Sequence, residues 1–372
     1  MREHLRRGAF WGEKMQERIQ RLRSLLEERE LEALLVTHSV NRRYLSGFTG
    51  TAGVILITEK EAFLVTDFRY IEQAQKQAKG FSIVRHNQDI FEKLAELVIQ
   101  NKIRTLGFEQ EHLSYGQYRA LKEALKESSC RLEPTSGLVE KLRLIKDERE
   151  IELIRKAVHI ADQTFEHILK ILKPGMTERE VANELEWTMR KLGATSSSFD
   201  IIVASGARSA LPHGVASEKV IEEGDLVTLD FGAVYQGYVS DLTRTVAIGE
   251  PHPKLREIYG ICLEAQKRGV AHIKAGMTGR EADALCREYI ASHGYGDHFG
   301  HSTGHGIGLE IHEGPTLSPR NETILQAGMI VTVEPGIYIP GLGGVRIEDD
   351  VLIKEDGNEV LSRSPKELIC IA

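Results

Sequence analysis

The sequence predicts an α/β (α+β) protein of two domains, the second built from two similar halves, and three observations carry that reading. Strand-like and helix-like periodicities alternate through the first third of the chain. An eight-residue phrase, Lys173-Pro-Gly-Met-Thr-Glu-Arg-Glu180, returns as Lys274-Ala-Gly-Met-Thr-Gly-Arg-Glu281 with six identities. The 372 residues, 41% hydrophobic and 28% charged, have the length and balance to bury more than one core.

The same bulk properties exclude some partners. A net charge of −7 with no basic stripe argues against nucleic acid. No run reaches the roughly 20 apolar residues of a membrane span, and the N-terminus has no secretory-type apolar core. Cys130, Cys262, Cys286 and Cys370 lie far apart without a C-x-x-C pair. That pattern predicts free thiols in a cytoplasmic protein.

Residues 1–14 lack periodicity and read as a disordered tail, a tag-like extension or an early start codon, which the sequence leaves open. From Met15, Ile19, Leu22, Leu25 and Leu26 recur at helical spacing, and residues 33–36 (ALLV) read as a buried strand. Residues 52–67 predict a hairpin turning near Glu59-Lys60. Helix over 69–78, strand over 81–85, helix over 90–100, strand over 105–108 and helix over 115–127 follow, predicting a mixed sheet with helices against it. Asp67-Phe68-Arg69-Tyr70 reads as a capped helix start. Composition turns to Pro, Ser, Gly and then charge at 133–147, so the domains are expected at 15–138 and 139–372.

In the second domain both copies of the repeated phrase carry Thr-x-x-Glu, the capping-box pattern that starts a helix. Farther on, Gly224-Asp-Leu-Val-Thr-Leu-Asp230-Phe-Gly232 matches Gly328-Met-Ile-Val-Thr-Val-Glu334-Pro-Gly336, placing Glu334 where Asp230 stood. A spacing near a hundred residues excludes a solenoid, whose period is about 20–50. Duplicated halves are expected to face each other about a pseudo-two-fold axis, so equivalent strand ends converge on one cleft.

Residues 226–245 read as two antiparallel strands around Tyr235-Gln236-Gly237. A turn centred on Tyr235-Gln236 sets Asp230 opposite Asp241, with Cβ atoms about 4.5–5.5 Å apart. Two carboxylates so placed call for a shared proton, an arginine or a cation. The alternative is that Asp230 only ends a strand, Asp241 faces solvent and the register is off by one. In His301-Ser-Thr-Gly-His305-Gly-Ile-Gly308 two histidines lie in a Gly-rich segment that a ligand can approach closely. Alternation along Gly344-Val-Arg-Ile-Glu348 puts Arg346 and Glu348 on one face. Asp230, Asp241, His305, Glu334 and Glu348 together supply four negative charges and an imidazole, which balance two divalent ions. Oxygen-rich ligation favours Mn²⁺, with Co²⁺, Fe²⁺ or Zn²⁺ as alternatives. Such a pair activates water and polarises a carbonyl, which is hydrolytic chemistry.

These residues, with Leu211-Pro-His213-Gly, Ile311-His312-Glu313, Val-Glu334-Pro-Gly and Gly-Gly-Val-Arg346-Ile-Glu348-Asp, resemble the pita-bread metallopeptidases, in the Xaa-Pro aminopeptidase and Xaa-Pro dipeptidase (prolidase) branch. The likeness runs from about Met15 onward and includes a creatinase-like N-terminal domain. It implies that Asp241 and Glu348 bridge two ions, that Asp230 completes one shell, and that His305 with Glu334 completes the other. It also implies Glu334 as proton shuttle, His213 and His312 as stabilisers of the tetrahedral intermediate, and His301 and Arg346 as proline-side contacts. The implied substrates are proline-containing peptides and the implied assembly is a homodimer. His213 as a turn residue, His312 as support to a ligand and Arg346 as a neutralising partner are the simpler alternatives. The intact ligand set argues against a non-catalytic relative and against creatinase. The complete N-terminal domain argues against a methionine aminopeptidase. Within the branch the expectation is an aminopeptidase, with a dipeptidase as the alternative.

Overall fold

A computed structural model of the chain describes residues 2–87 and 89–372, with side chains from Lys14 onward. Residues 2–14, read as a stretch without periodicity, lie in the first helix, residues 2–13 of them described as backbone. The chain divides into two compact units, Met1–Arg143 and Leu144–Ala372.

The first unit runs α1 (Arg2–Glu28), β1 (Ala33–Val36), α2 (Ser39–Ser46), β2 (Val54–Thr58), β3 (Ala62–Thr66), α3 (Ile71–Gln77), β4 (Ser82–Arg85), α4 (Ile90–Gln100), β5 (Thr105–Glu109), α5 (Tyr115–Ala124), β6 (Arg131–Thr135) and α6 (Leu138–Arg143). Its strands form one mixed sheet in the order β4-β3-β2-β1-β5-β6. β1 and β2 are buried along their whole length, which accounts for their unbroken apolar runs. The β2–β3 hairpin turns at Glu59-Lys60, as its alternation predicts. Asp67 accepts from the Arg69 N–H at 3.0 Å, so the polar phrase there is a capped helix start. α2, β6 and α6 were not foreseen. β6 runs into the stretch read as the domain boundary, and its Pro134 is tolerated because β6 lies at the sheet edge, where a missing N–H costs no ladder bond.

The second unit runs α7 (Glu148–Ile168), α8 (Glu178–Lys191), β7 (Ser196–Ser197), β8 (Ile202–Ser205), β9 (Leu226–Phe231), β10 (Ala233–Tyr235), β11 (Tyr238–Val239) and β12 (Leu242–Ile248). It continues with α9 (Pro253–His272), α10 (Gly279–Ser292), β13 (Gly304–Gly306), β14 (Glu313–Leu317), β15 (Ile330–Val333), β16 (Gly336–Ile339), β17 (Gly343–Arg346), β18 (Asp349–Lys354), β19 (Gly357–Val360) and β20 (Cys370–Ile371). The main sheets are β20-β12-β9-β8 and β14-β13-β15-β18-β19.

The duplication is repeated hydrogen bond by hydrogen bond. Thr177 and Thr278 each close a capping box, with Glu180 and Glu281 returning the bond, at α8 and α10. Such a cap contributes about 1 kcal/mol. Gly175 and Gly276 both take φ near +90°, and their N–H groups donate to Ile221 and Leu325 at the same distance, 2.9 Å. Gly224 and Gly328 repeat the pattern with Ile248 and Ile353. Each half therefore folds its helix onto its own strands, giving two cores, one around Phe165, Leu185 and Leu229, the other around Cys262, Cys286 and Val331.

One expected register is corrected. Tyr235 pairs with Tyr238, so the turn is Gln236-Gly237, one residue later than expected. Both residues have positive φ, +48° and +86°, the signature of a type I′ turn that glycine favours at its second position. Moving the turn by one shifts the pairing by two, and Asp230 faces Thr243 instead of Asp241. A two-residue shift preserves the face, because side chains alternate with period two. Asp241 thus stays on the Asp230 side, diagonally displaced.

Candidate metal centre

All nine residues singled out from the sequence line one cleft of about 770 Å³ in the second unit: Asp230, Asp241, His305, Glu334, Glu348, His213, His312, His301 and Arg346. The duplication explains the convergence. β9 carries Asp230, the end of its counterpart β15 presents Glu334, and the junction between β17 and β18 presents Glu348.

Asp241, His305 and Glu348 each offer a ligand atom, and these atoms lie within 4.8 Å of one another. His305 Nε2 is 3.6 Å from Asp241 Oδ2 and 3.3 Å from Glu334 Oε1. Thr243 donates to Glu348 Oε2 at 2.6 Å, and Thr332 donates to Glu334 Oε1 at 3.1 Å. Arg346 is buried and donates from Nη2 to Asp230 Oδ2 at 2.5 Å, from Nη1 to Tyr338 Oη at 2.8 Å and from Nε to Thr243 Oγ1 at 3.2 Å. Tyr338 Oη in turn lies 2.8 Å from His301 Nε2. Behind Glu348 the fully buried Arg244 gathers the carbonyls of Thr243, Glu348, Ser364 and Pro365 and the Asp349 carboxylate. That clamp fixes the junction on which Glu348 stands.

The acids respond to this crowding differently. Burial pushes Asp241 and Glu348 well above the ordinary carboxylate range, and neighbouring charges push them further: Glu348, Asp230 and Glu334 on Asp241, and Glu334 and Asp230 on Glu348. Burial also raises Asp230, against the pull of Arg346. Burial pushes Glu334 up as well, but the hydrogen bond and charge of His305, with His301 and Arg346, hold it below its usual value. Burial pulls His305 down, yet Glu334 outweighs it and keeps that imidazole above its usual value. His301 and His312 are lowered, chiefly by burial.

Two carboxylate oxygens of the set, Asp230 Oδ1 and Glu348 Oε1, are buried and have no hydrogen-bond partner among the described residues. An orphaned buried carboxylate oxygen is costly, and the bond from Arg346 to Asp230 reaches only the other oxygen, Oδ2. The donor set, four carboxylates and an imidazole around these orphaned atoms, fits hard or borderline divalent cations.

Three contributors escaped the sequence reading. Asp350 is buried, accepts the Asp241 N–H at 3.0 Å and leaves its own Oδ1 without a partner among the described residues. Its place two residues beyond Glu348 was a usable signal. Thr243 and Tyr338 gave none, since their roles depend on a register and on a contact across β16 and β17.

Residues 152–355 match the model of Metallopeptidase family M24, and residues 18–145 match that of the Creatinase/Prolidase N-terminal domain. An uncharacterized peptidase of Bacillus subtilis, YqhT, is 55% identical over 95% of this chain and 100% of its own length. The solved Xaa-Pro dipeptidase from Bacillus anthracis superposes with a TM-score of 0.94 at 62% identity, covering 96% of this chain and 99% of that one. The X-Pro aminopeptidase from Thermotoga maritima superposes with a TM-score of 0.86 at 43% identity, covering 92% and 98%. Both domain matches, the duplicated fold and the carboxylate-lined cleft lead to one assignment: the chain belongs to metallopeptidase family M24 and is a peptidase of that family carrying the creatinase/prolidase N-terminal domain.

Proposed function

We propose that this peptidase hydrolyses the Xaa-Pro bond at the N-terminus of proline-containing peptides, using two divalent ions held by Asp230, Asp241, His305, Glu334 and Glu348. The observation that carries the metal reading is the pair of orphaned buried oxygens, Asp230 Oδ1 and Glu348 Oε1, on the wall that also bears Asp241, His305 and Glu334. Oxygen-rich ligation favours Mn²⁺, with Co²⁺, Zn²⁺ and Fe²⁺ as alternatives. When bound, such ions supply Lewis-acid activation of water and of the scissile carbonyl.

The chain's own residues supply the rest. Glu334, kept ionised by His305 and Arg346, accepts the proton of the attacking water and delivers it to the leaving nitrogen. That nitrogen needs a delivered proton, because it leaves as an amine and not as an amide anion. His213 and His312 face the charge that develops on the carbonyl oxygen. His301, linked through Tyr338 to Arg346, forms the proline-side wall. Asp241 and Glu348 would help hold the ions, whose positive charge would relieve the repulsion between the two carboxylates.

A second reading, an Xaa-Pro dipeptidase, is favoured by the 62% identity to the dipeptidase from Bacillus anthracis. Kinetics on Xaa-Pro against Xaa-Pro-Yaa-Zaa separate the two: an aminopeptidase cleaves both, a dipeptidase only the shorter. Chelation should abolish activity on either substrate, with recovery best in Mn²⁺ or Co²⁺. Full activity in protein shown metal-free by elemental analysis would refute the hydrolytic mechanism. A homodimer is the expected assembly, and sedimentation giving a fully active 41.7 kDa monomer would reject it. Among the described residues no helix is long and apolar enough to cross a membrane. A cytoplasmic location is inferred from the wide spacing of the four free cysteines.

A further inference from the structure

His213 stands on an exposed loop, yet catalysis needs its imidazole at a fixed place over the cleft. The loop's two stems, Ser205 and Ser217, close on one carboxylate. Glu178, the first residue of α8 and fully buried, accepts from the Ser205 N–H at 2.8 Å and its hydroxyl at 2.9 Å through Oε1. Its Oε2 accepts from the Ser217 N–H at 3.1 Å and its hydroxyl at 2.6 Å, and also from Arg208 Nη1. The other arm of Arg208, Nη2, reaches the Val215 carbonyl at 3.0 Å, two residues beyond the imidazole. Val215 bridges to Ile202, which pairs with Asp230, which faces Thr243. The loop is thereby registered on the strands that carry the metal-site acid.

The duplicated half shows what the clamp adds. There the N–H groups of Gly279 and Arg280 bind the Thr323 and Asn321 carbonyls, as those of Glu178 and Arg179 bind Lys219 and Ser217. At this position the side chains differ, glutamate in the first half and glycine in the second. A Cβ on Gly279 would fall 2.3 Å from the Thr316 carbonyl and 2.7 Å from the Asn321 side-chain amide, so those two groups leave no room there for a side chain like that of Glu178. The His312 side has a different brace, Glu313, which accepts the Leu309 and Glu310 N–H groups and pairs with Lys146, whereas the His213 side is held by Glu178 and Arg208.

We infer that Glu178 and Arg208 are positioning residues for His213, holding the 205–217 loop so that the imidazole meets the reacting carbonyl. The inference rests on the proposed role of His213. A loop released from its brace samples many conformers, and a displacement of about 1 Å from reactive geometry costs on the order of a hundredfold in rate.

The test uses the full-length enzyme loaded with Mn²⁺ and an Xaa-Pro dipeptide. Arg208→Ala should lower kcat about tenfold or more with metal content and KM little changed. Arg208→Gln, which can keep one of the two hydrogen bonds, should fall between. In a His213→Ala background, Arg208→Ala should cost less than about twofold more, because residues acting through one group are non-additive. In the metal-free protein, hydrogen exchange of the 211–217 amides should quicken in Arg208→Ala, a readout independent of turnover. Full activity of His213→Ala would remove the role on which the inference rests. With His213→Ala impaired, normal kinetics in Arg208→Ala, or losses that multiply in the double variant, would overturn the positioning role. Should Arg208→Ala fail to fold, the same comparisons are made with Arg208→Gln.

Discussion

The sharpest test of the metal centre is a substitution that should stabilise the empty protein while destroying its function. Asp241→Asn removes one carboxylate charge and keeps shape and volume, including the backbone N–H that Asp350 accepts. Ligand atoms of Asp241 and Glu348 lie within 4.8 Å, so at an effective dielectric of 20 two full charges there repel by about 3.5 kcal/mol. Proton uptake caps that cost, because both groups are raised well above the ordinary carboxylate range by burial and by neighbouring acids. A gain of about 1–3 kcal/mol at pH 8 in chelator is therefore expected, which is about 2–4 °C in Tm per kcal/mol for a unit of this size. The sign follows from linkage. A carboxyl whose folded pKa is raised contributes no penalty below the unfolded value near 4, and the folded state loses stability as pH rises from there through the folded pKa. Metal-free wild type should thus weaken between pH 5 and pH 8, and the Asn variant should weaken less. Added Mn²⁺ should reverse the ranking, stabilising wild type and not the variant. The assay is a set of thermal melts in chelator and in Mn²⁺ at pH 5, 6.5 and 8. A metal-free variant that melts below wild type at pH 8, or a difference that does not grow with pH, would show Asp241 to be a structural partner and refute the repulsion argument.

Other outcomes follow from single contacts. His301→Ala should lower kcat/KM for proline peptides by about ten- to a hundredfold with metal content unchanged, and normal kinetics would refute its substrate role. Arg346→Ala should lower turnover similarly and also weaken metal binding, because the guanidinium holds Asp230 Oδ2, and elemental analysis after dialysis decides the point. Lys146→Ala should destabilise by about 3 kcal/mol or more in denaturant titrations, since it strands the buried Glu313 carboxylate that Lys146 pairs at 3.2 Å. Glu359, held down to about 2 by hydrogen bonds from Arg155 and Lys354, contributes stability that is present above its unfolded value and is lost as pH falls toward 2. The site is largely solvated, so Glu359→Gln should cost only about 0.5–1 kcal/mol at pH 7, and the difference should vanish in melts near pH 2.

Much of this protein was legible in the sequence because it depends on neighbours along the chain. The two Thr-x-x-Glu boxes start α8 and α10 where they were read, since a cap is made by side chains three residues apart. The unbroken apolar runs of β1 and β2 are buried strands, and the repeated phrases carry a repeated hydrogen-bond pattern. Duplication also located the cleft, because equivalent strand ends must meet where two like halves face. The register of the 226–248 hairpin was legible in principle. Gly237 takes the left-handed second position of a type I′ turn, and weighing that demand ahead of the apolar alternation moves the turn to Gln236-Gly237.

What only the tertiary structure decided are relations between residues far apart in sequence. Three consecutive acids have three fates. Glu348 faces the cleft, Asp349 is neutralised by Arg244 and Lys366, and Asp350 anchors the Asp241 backbone. No local pattern separates them, because the partners that select each fate come from β12, from Asp241 just before it and from the segment before β20. Tyr338 joins His301 to Arg346 only because β16 folds back on β17. Glu178 reads as a helix-start acid in the sequence, and only the folded chain brings Ser205, Arg208 and Ser217 to its two oxygens. Periodicity and capping are short-range and survive in the one-dimensional string, whereas the choice of partner for a buried charge is a long-range competition that closes only when the chain does.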